Sequence, residues 1–298
     1  MARRAGRCAL LRLDVIVTSY NSPELLKRCL KSLAGQREVE AVIVADCSDQ
    51  DPAPALSPCF QGVRFLHFSG KRTVPQLRWA ALSHSQGDLV AALEARCVPH
   101  ESWAGRILRA HAQHPDVPAV GGPVSVAPGA SAFDLGLYYC EYGLYAPPVL
   151  EGPSPDLSGA NLSYKRSWLI REVDLLSKGC WETLFHLRWR SQGRRLWMSD
   201  AEVVFWNSMR PAVALRQRFS YGRGYAAARF GQANRWWALL ALALPAVLTA
   251  RIAVRAFRRG HARSFLRSLG WLLILNAAWA MGESTGYWTG TSGDSAIF

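Results

Sequence analysis

Three features are missing from this chain of 298 residues, and each absence excludes a class of protein. Its seven cysteines have no CxxC or Cys/His ligand spacing, which argues against a zinc module and favours reduced cytosolic thiols. No apolar run reaches the roughly 20 residues of a membrane-spanning helix. No internal repeat or low-complexity tract occurs, so a solenoid or a disordered chain is not expected.

Acidic residues are also scarce, because 22 Asp and Glu face 35 Lys and Arg, for a net charge of +13. Such a balance suits a phosphate-bearing partner, whether a nucleotide, a nucleic acid or a lipid surface. The basic and aromatic segment RQRFSYGRGYAAAR is typical of nucleic-acid binding, but no helix-turn-helix, RNA-stacking or zinc signature accompanies it. We therefore expect no nucleic-acid partner.

Strand and helix patterns alternate after a basic N-terminal tail. The sequence predicts strands at LDVIVTSY, VEAVIVAD, VRFLHF and LVAALEA, and a helix at PELLKRCLKSLAGQ that starts at Pro23 and stops at Gly35. This order predicts an α/β protein with a doubly wound, mostly parallel sheet, which binds ligands beyond the carboxyl ends of its strands. Asn21, Asp46 and Glu94 fall at such ends.

The composition changes near residue 234, which predicts one domain over residues 1–233 and a hydrophobic helical hairpin and tail over 234–298. Two apolar stretches, WWALLALALPAVLTA and LGWLLILNAAWAM, flank a loop that is rich in arginine. We expect this hairpin to lie in one leaflet, with its arginines at the headgroups and the preceding domain facing the cytoplasm. Two buried helices of a soluble domain, or of a dimer interface, are the alternative.

Six segments together resemble family 2 glycosyltransferases, which are inverting enzymes of the GT-A fold. They are VIVTSYNSPELLKRCLKSLAGQ, VADCSDQD, TVPQLRWAALSHSQGD, LEARCVP, SGANLSYKR and CWETLFHLRWRSQGRRLW. The resemblance covers roughly residues 13 to 230 and depends on the order and spacing of these segments. It implies a nucleotide-sugar donor and, in most members, a divalent metal ion.

The resemblance also implies roles for individual residues in donor binding. Asp46 matches the aspartate that accepts a hydrogen bond from the uracil, Arg78 matches an arginine near the nucleotide, and Thr18, Tyr20 and Asn21 follow the strand that packs the base and ribose. Each has a simpler interpretation. Asp46 suits a turn, Arg78 suits a solvated helix face, and the residues after the first strand suit a turn in which Ser22 or Asn21 caps the helix.

LEARCVP departs from the family's D-x-D motif, which holds Mg²⁺ or Mn²⁺ against the diphosphate. Here Glu94 is followed by Ala95 and Arg96, and an arginine would repel a cation rather than bind it. Glu94 is thus the only candidate ligand in the motif, and whether a metal is needed stays open. A guanidinium binds phosphate in bidentate fashion, so we expect Arg96 to supply the charge of the ion. Decay into an inactive relative is the alternative.

A second departure lies on a late strand, where family members often carry a histidine near the donor phosphates. This chain has Phe205, Trp206 and Asn207 in that region. The chain therefore departs from the family pattern at two places near the expected metal ion, at Arg96 and on this late strand. Further along the chain, Arg218 and Arg223 are candidates for a clamp over the donor phosphates.

The acceptor side keeps the features that the resemblance implies. Gly159 allows close approach of the backbone to a sugar, Asn161 offers a donor and an acceptor, and Trp181 precedes the expected base. That base is Glu182, at the start of a predicted helix, where a first-turn glutamate favoured by the helix dipole is the alternative.

These features predict a membrane-associated glycosyltransferase. It would move a sugar from a nucleotide donor, a UDP-sugar, to a lipid-linked or saccharide acceptor in envelope polysaccharide or glycolipid synthesis. The alternative function is a catalytically silent scaffold or binding subunit of such an assembly. A homo-oligomer, or a complex with other envelope enzymes, is compatible with either function.

Overall fold

The computed structural model describes residues 11–230 and 235–290. The first half of the chain alternates strands and helices, which confirms the predicted α/β pattern. The expected basic tail and the boundary between residues 233 and 234 lie outside the described residues. The elements of this half are β1 (Leu13–Ser19), α1 (Pro23–Ala34), β2 (Val39–Asp46), α2 (Ala53–Leu56), β3 (Val63–His67), α3 (Val74–Leu82) and β4 (Leu89–Glu94).

Helix α1 illustrates how the sequence sets an element. Pro23 stands at its first turn and Gly35 caps its end, as predicted. Its buried residues Leu26, Leu30 and Leu33 recur at helical spacing, so one face packs against the sheet. All seven residues of β1 are buried, as expected of a central strand covered on both faces.

The second half completes a mixed sheet of eight strands in the order β3-β2-β1-β4-β9-β6-β10-β8. Strands β1 to β4 are parallel, whereas β9 runs antiparallel to both β4 and β6. A second sheet has the order β5-β11-β7. The added strands are β5 (Cys97–Pro99), β6 (Ala119–Gly121), β7 (Val124–Val126), β8 (Gly152–Ser154), β9 (Asn161–Lys165), β10 (Leu196–Met198) and β11 (Val203–Phe205).

Five helices accompany these strands, and α5 shows how one of them begins. It begins with a capping box in which the Ser131 hydroxyl accepts from the Asp134 amide and the Asp134 carboxylate accepts from the Ser131 amide. The helices are α4 (Trp103–Gln113), α5 (Ala132–Glu141), α6 (Arg166–Leu169), α7 (Val173–Leu176) and α8 (Glu182–Ser191), with a 3-10 turn at Ile170–Glu172.

The C-terminal segment forms α9 (Pro211–Phe230), α10 (Arg235–Ala241), α11 (Leu244–Arg258) and α12 (Ala262–Thr289). The first apolar stretch is thus divided between two helices, and the second lies inside a helix of 28 residues. By length and composition α12 could cross a membrane, and 39% of its most apolar window is buried inside the protein. Helix α12 packs along α9, α5, α10 and α11, so this segment also forms one wall of the molecule.

Close contact between α9 and α12 requires glycine. A Cβ on Gly282 would overlap the Phe219 carbonyl oxygen, and one on Gly222 would overlap the Trp279 carbonyl oxygen. A Cβ on Gly286 would lie 2.6 Å from the Arg223 carbonyl oxygen. The two backbones therefore approach without side chains between them, as small residues allow.

We predict that Gly282→Ala lowers the free energy of unfolding by roughly 1–3 kcal/mol, because the methyl group forces the two helices apart. Gly270 on the same helix would have nothing within 4 Å of an added Cβ, so Gly270→Ala is the matched control and should stabilise by about 0.5–1 kcal/mol. Denaturant unfolding of both variants measures the difference. Equal stability of the two would contradict the close helix crossing.

Candidate functional site

Several predicted site residues lie side by side at the carboxyl edge of the parallel strands. Asp46 is paired with Ser19 of β1 and with His67 of β3, and Glu94 is paired with Thr18. Neighbouring strands lie about 4.8 Å apart, so Asp46 and Glu94 are separated by roughly 10 Å across β1. The prediction that Asp46 and Glu94 fall at the carboxyl ends of strands is confirmed.

Asp46 is buried and uses its carboxylate within its own corner of the fold. The carboxylate accepts from the Ser48 amide at 2.9 Å and from the Ser48 hydroxyl at 2.7 Å, and His67 Nδ1 lies 3.0 Å away. This geometry is the turn that the simpler interpretation of Asp46 describes. Contact between Asp46 and a nucleotide base stays a prediction. It requires Ser48 or His67 to give up its hydrogen bond to the carboxylate.

The residues after β1 connect its end to the loop after β2. Asn21 has a φ of +44°, its amide nitrogen donates to the Asp49 carboxylate, and its oxygen accepts from the Asp49 amide, both at 2.9 Å. The Thr18 hydroxyl is buried and donates to the Leu93 carbonyl. Tyr20 is partly buried, and burial together with the charge of Asp49 raises the pKa of its phenol. Their contacts with a donor stay predictions.

Arg78, Glu182 and Gly159 meet although they are far apart in the sequence. Arg78 Nη1 lies 3.1 Å from Glu182 Oε2, and Nη2 donates to the Gly159 carbonyl at 2.5 Å. A Cβ at position 159 would overlap Glu182 Oε1, so only glycine admits the carboxylate here. Arg78 thus fixes Glu182, the candidate base, against the loop that precedes β9.

A second charge cluster joins β4 to α5. Arg96 Nε lies 2.8 Å from Glu94 Oε2, and Nη2 lies 3.1 Å from Glu141 Oε2. The Tyr142 hydroxyl donates to Glu94 at 3.1 Å, and the Arg96 guanidinium lies over the Phe205 ring at 5.4 Å. Arg96 therefore occupies the space between two carboxylates at the end of the sheet.

The two carboxyl groups differ in acidity. Burial raises the pKa of Glu94, but Arg96 and Arg78 outweigh burial and hold it below its ordinary value. Burial raises the pKa of Glu141, and Arg96 offsets this only in part, so the net pKa is above the ordinary value. Glu141 is therefore the carboxyl group of the pair that takes up a proton first.

Both clusters face one cleft of about 780 Å³. Its walls come from the end of β4, the end of α5 and the loop after it, the loop before β9, the start of α8, and helices α9, α11 and α12. Arg218 lines the cleft and stacks over the Trp279 ring at 4.6 Å. Trp181 also lines it, while Arg223 lies outside its lining.

Asn161 lies in the interior rather than at the cleft. Its amide nitrogen donates to the carbonyls of Pro123 and Ala201, and its oxygen accepts from the Trp103 indole. These bonds use both amide hydrogens and the carbonyl oxygen, so the side chain braces β9 against its neighbours. An acceptor contact by Asn161 is a prediction that this arrangement does not support.

Sequence reasoning missed several cleft residues. Glu141 follows the aromatic stretch LYYC at the end of α5, where a lone acid among apolar residues was the available signal. Asp156 also lines the cleft, and its carboxylate lies 2.6 Å from His186 Nδ1, whose other ring nitrogen meets the Tyr164 hydroxyl at 3.0 Å. No local sequence pattern indicated that Asp156, His186 and Tyr164 would be linked by hydrogen bonds.

Comparison with known proteins places this geometry in a family. The family profile described as Glycosyl transferase family 2 matches residues 14–171, which contain Asp46, Arg78, Glu94, Arg96 and Gly159. The chain belongs to glycosyltransferase family 2. No curated protein sequence matches this family 2 chain.

Two solved glycosyltransferases resemble its fold. The mannosyltransferase PcManGT from Pyrobaculum calidifontis, in complex with GDP-Man and Mn²⁺, matches with a TM-score of 0.57 and 19% identity, over 90% of this chain and 86% of its own. GalNAc-T7 with UDP, GalNAc and Mn²⁺ matches with a TM-score of 0.52 and 14% identity, over 67% of this chain and 44% of its own. At such identities the likeness concerns the GT-A fold.

The residues of this chain do not fit a divalent ion held in the family's usual manner. Oxygen ligands should surround such an ion, but the oxygen of Glu94 that accepts from Tyr142 is also paired with Arg96. Within residues 11–230 and 235–290, no cluster of three His, Cys, Asp or Glu has the geometry of a metal site. In the region of the family's histidine, Trp206 stacks under Arg28, and Asn207 donates to Asp134.

Proposed function

We propose that this family 2 protein is an inverting glycosyltransferase that uses a nucleotide-sugar donor, a UDP-sugar. The acceptor is lipid-linked or a saccharide, as in envelope polysaccharide or glycolipid synthesis. The observation that carries the proposal is the carboxylate of Glu182, which lines the cleft and is held by Arg78 over Gly159. A fixed carboxylate beside an open cleft is the group that a direct displacement requires.

The reaction is a single displacement at the anomeric carbon. Glu182 takes the proton of the acceptor hydroxyl while the oxygen of that hydroxyl forms the new bond to the anomeric carbon. The bond between the carbon and the diphosphate oxygen breaks, and the nucleoside diphosphate leaves with the electron pair. Attack from the face opposite the leaving group inverts the configuration.

Arginines supply the positive charge that this departure needs. Arg96 Nη1 and Arg218 Nε are buried without an acceptor among the described residues, and such groups are costly unless a ligand satisfies them. A donor diphosphate provides acceptors for both. The negative charge of the diphosphate would also raise the pKa of Glu141 further. A protonated Glu141 no longer neutralises Arg96 and Arg218, so both arginines would then pair with the phosphate.

A catalytically silent binding subunit is the second candidate function. It is favoured by the hydrogen bonds that Asp46 makes within its own loop and by the two carboxylates that already pair with Arg96. Such a subunit keeps the cleft and lacks turnover. Release of nucleoside diphosphate by the wild-type protein distinguishes the two functions.

Membrane association at the cytoplasmic face is part of the proposal. Helices α10, α11 and α12 expose large apolar side chains, including Trp236, Leu240, Phe257, Leu273 and Met281. Arg258 and Arg259 lie at the C-terminal end of α11, and Arg263 and Arg267 lie near the start of α12. This surface therefore combines apolar area with charges that suit lipid headgroups. We propose that these helices lie along the bilayer surface, with a homo-oligomer or other envelope enzymes as protein partners and no role for nucleic acid.

We predict that Glu182→Gln retains UDP binding but slows nucleoside diphosphate release at least about 100-fold, because an amide cannot take the proton. Gly159→Ala should slow release as well, since its methyl group displaces the carboxylate. Glu151→Gln, in an exposed loop, is the control. A panel of UDP- and GDP-sugars with the purified full chain provides the assay. Wild-type rates in Glu182→Gln would contradict the role of Glu182 as the base, whereas no release from the wild-type protein would favour the silent subunit.

We predict that the pair Leu240→Glu and Phe257→Glu weakens binding to lipid vesicles by tenfold or more, because burial of each side chain contributes about 1.5–3 kcal/mol. Leu150→Glu and Ile170→Glu are the control, since both residues are exposed outside the C-terminal helices. Vesicle flotation at high salt, which screens the arginines, measures the effect. Full flotation of the test pair would contradict docking through these faces.

A further inference from the structure

Helix α11 contributes a wall of the cleft that the family profile does not reach, because the profile ends at residue 171. Leu244, Leu248, Arg251, Ile252 and Arg255 all line the cleft. These positions recur at spacings of three and four, so they form one stripe along the helix. The stripe is apolar at its N-terminal end and basic at its C-terminal end.

The acids of the cleft already have partners, which leaves the charge of this stripe uncompensated. Each carboxylate has at least one cation or hydrogen-bond donor: Glu94 and Glu141 have Arg96, Glu182 has Arg78, Asp156 has His186, and Glu283 has Trp279 and Tyr287. Arg251 and Arg255 form no ion pair with any acid in the described residues.

Like charges instead surround Arg255. Burial lowers the pKa of its guanidinium, and the neighbouring Arg251 and Arg259 lower it further. Arg259 cannot move away, because it donates to the carbonyls of Gly143, Leu144 and Ala146 in the loop after α5. Cations that a fold holds together without a counter-charge are stabilised by an anionic ligand.

The neighbouring apolar residues indicate what the anion carries. Leu244 and Leu248 extend the stripe toward the start of α11, Ile252 lies between the two arginines, and Trp279 of α12 lines the same cleft. A free phosphate would leave this apolar wall exposed to water, whereas an amphiphile covers it. The exposed apolar faces of the same helices would bring this wall near the bilayer in which such a molecule resides.

We propose that α11 forms an acceptor subsite in which Arg251 and Arg255 bind the phosphate of a phosphorylated lipid while Leu244, Leu248 and Ile252 contact its chain. This inference rests on the proposed transferase function and narrows its acceptor to an anionic amphiphile. The subsite belongs to the cleft that Glu182 lines. The acceptor is thus selected by a helix outside the region that identifies the family.

The test is a titration of the purified full chain in neutral phosphatidylcholine nanodiscs with farnesyl phosphate, farnesol, inorganic phosphate and UDP. The pair Arg251→Gln and Arg255→Gln should weaken farnesyl phosphate binding about tenfold or more and leave UDP binding unchanged. The matched pair Arg258→Gln and Arg263→Gln removes the same charge from exposed positions outside the cleft lining and should change neither. Arg251→Gln alone is the second variant, because Arg251 is exposed and its loss should not disturb folding.

Three outcomes would contradict the inference. Equal losses in both pairs would assign the effect to general attraction between the surface and anionic lipid. Equal binding of farnesol and farnesyl phosphate would remove the role of the phosphate, and equal binding of inorganic phosphate would remove the role of the chain. Absence of UDP binding in wild type, with farnesyl phosphate binding intact, would instead count against the proposed transferase function.

Discussion

The ion pairs of Arg96 connect the sheet to the helices that complete the cleft. Its guanidinium lies between Glu94, at the end of β4, and Glu141, at the end of α5. Helix α5 packs in turn on α12, which packs on α9. A buried guanidinium without these two carboxylates would be costly, so the position of α5 and the charge at this end of the cleft depend on the same contact.

The same contact places a guanidinium where the D-x-D motif of the family would hold a metal ion. A divalent ion at Glu94 would lie beside the positive charge of Arg96, which already pairs with one oxygen of that carboxylate. An arginine offers fixed N–H directions where an ion offers a spherical charge. The donor diphosphate would therefore be bound by directed hydrogen bonds from Arg96 and Arg218. Arg78 has a different task, because it holds Glu182.

Local sequence patterns predicted the strands and helices but not the contacts between residues that are far apart in the sequence. Strand β1 and helix α1 followed from burial and spacing, whereas the pairing of Arg78 with Glu182 spans 104 positions and has no local signal. Helix α12 is longer than its apolar run, because its interrupting polar residues are satisfied within the fold. Asn276 donates to Thr249, and Glu283 accepts from Trp279 and Tyr287. Hydrophobicity alone could not show that these residues are buried.

The affinity of the purified chain for UDP, measured in EDTA and again with added Mn²⁺, tests most directly whether Arg96 takes the place of the ion. If Arg96 takes the place of the ion, the affinity should be equal in the two conditions. Arg96→Ala should then weaken UDP binding by about 1.5–3 kcal/mol, the range for hydrogen bonds to charged groups. UDP binding that disappears in EDTA and returns with Mn²⁺, or that is unchanged in Arg96→Ala, would contradict it.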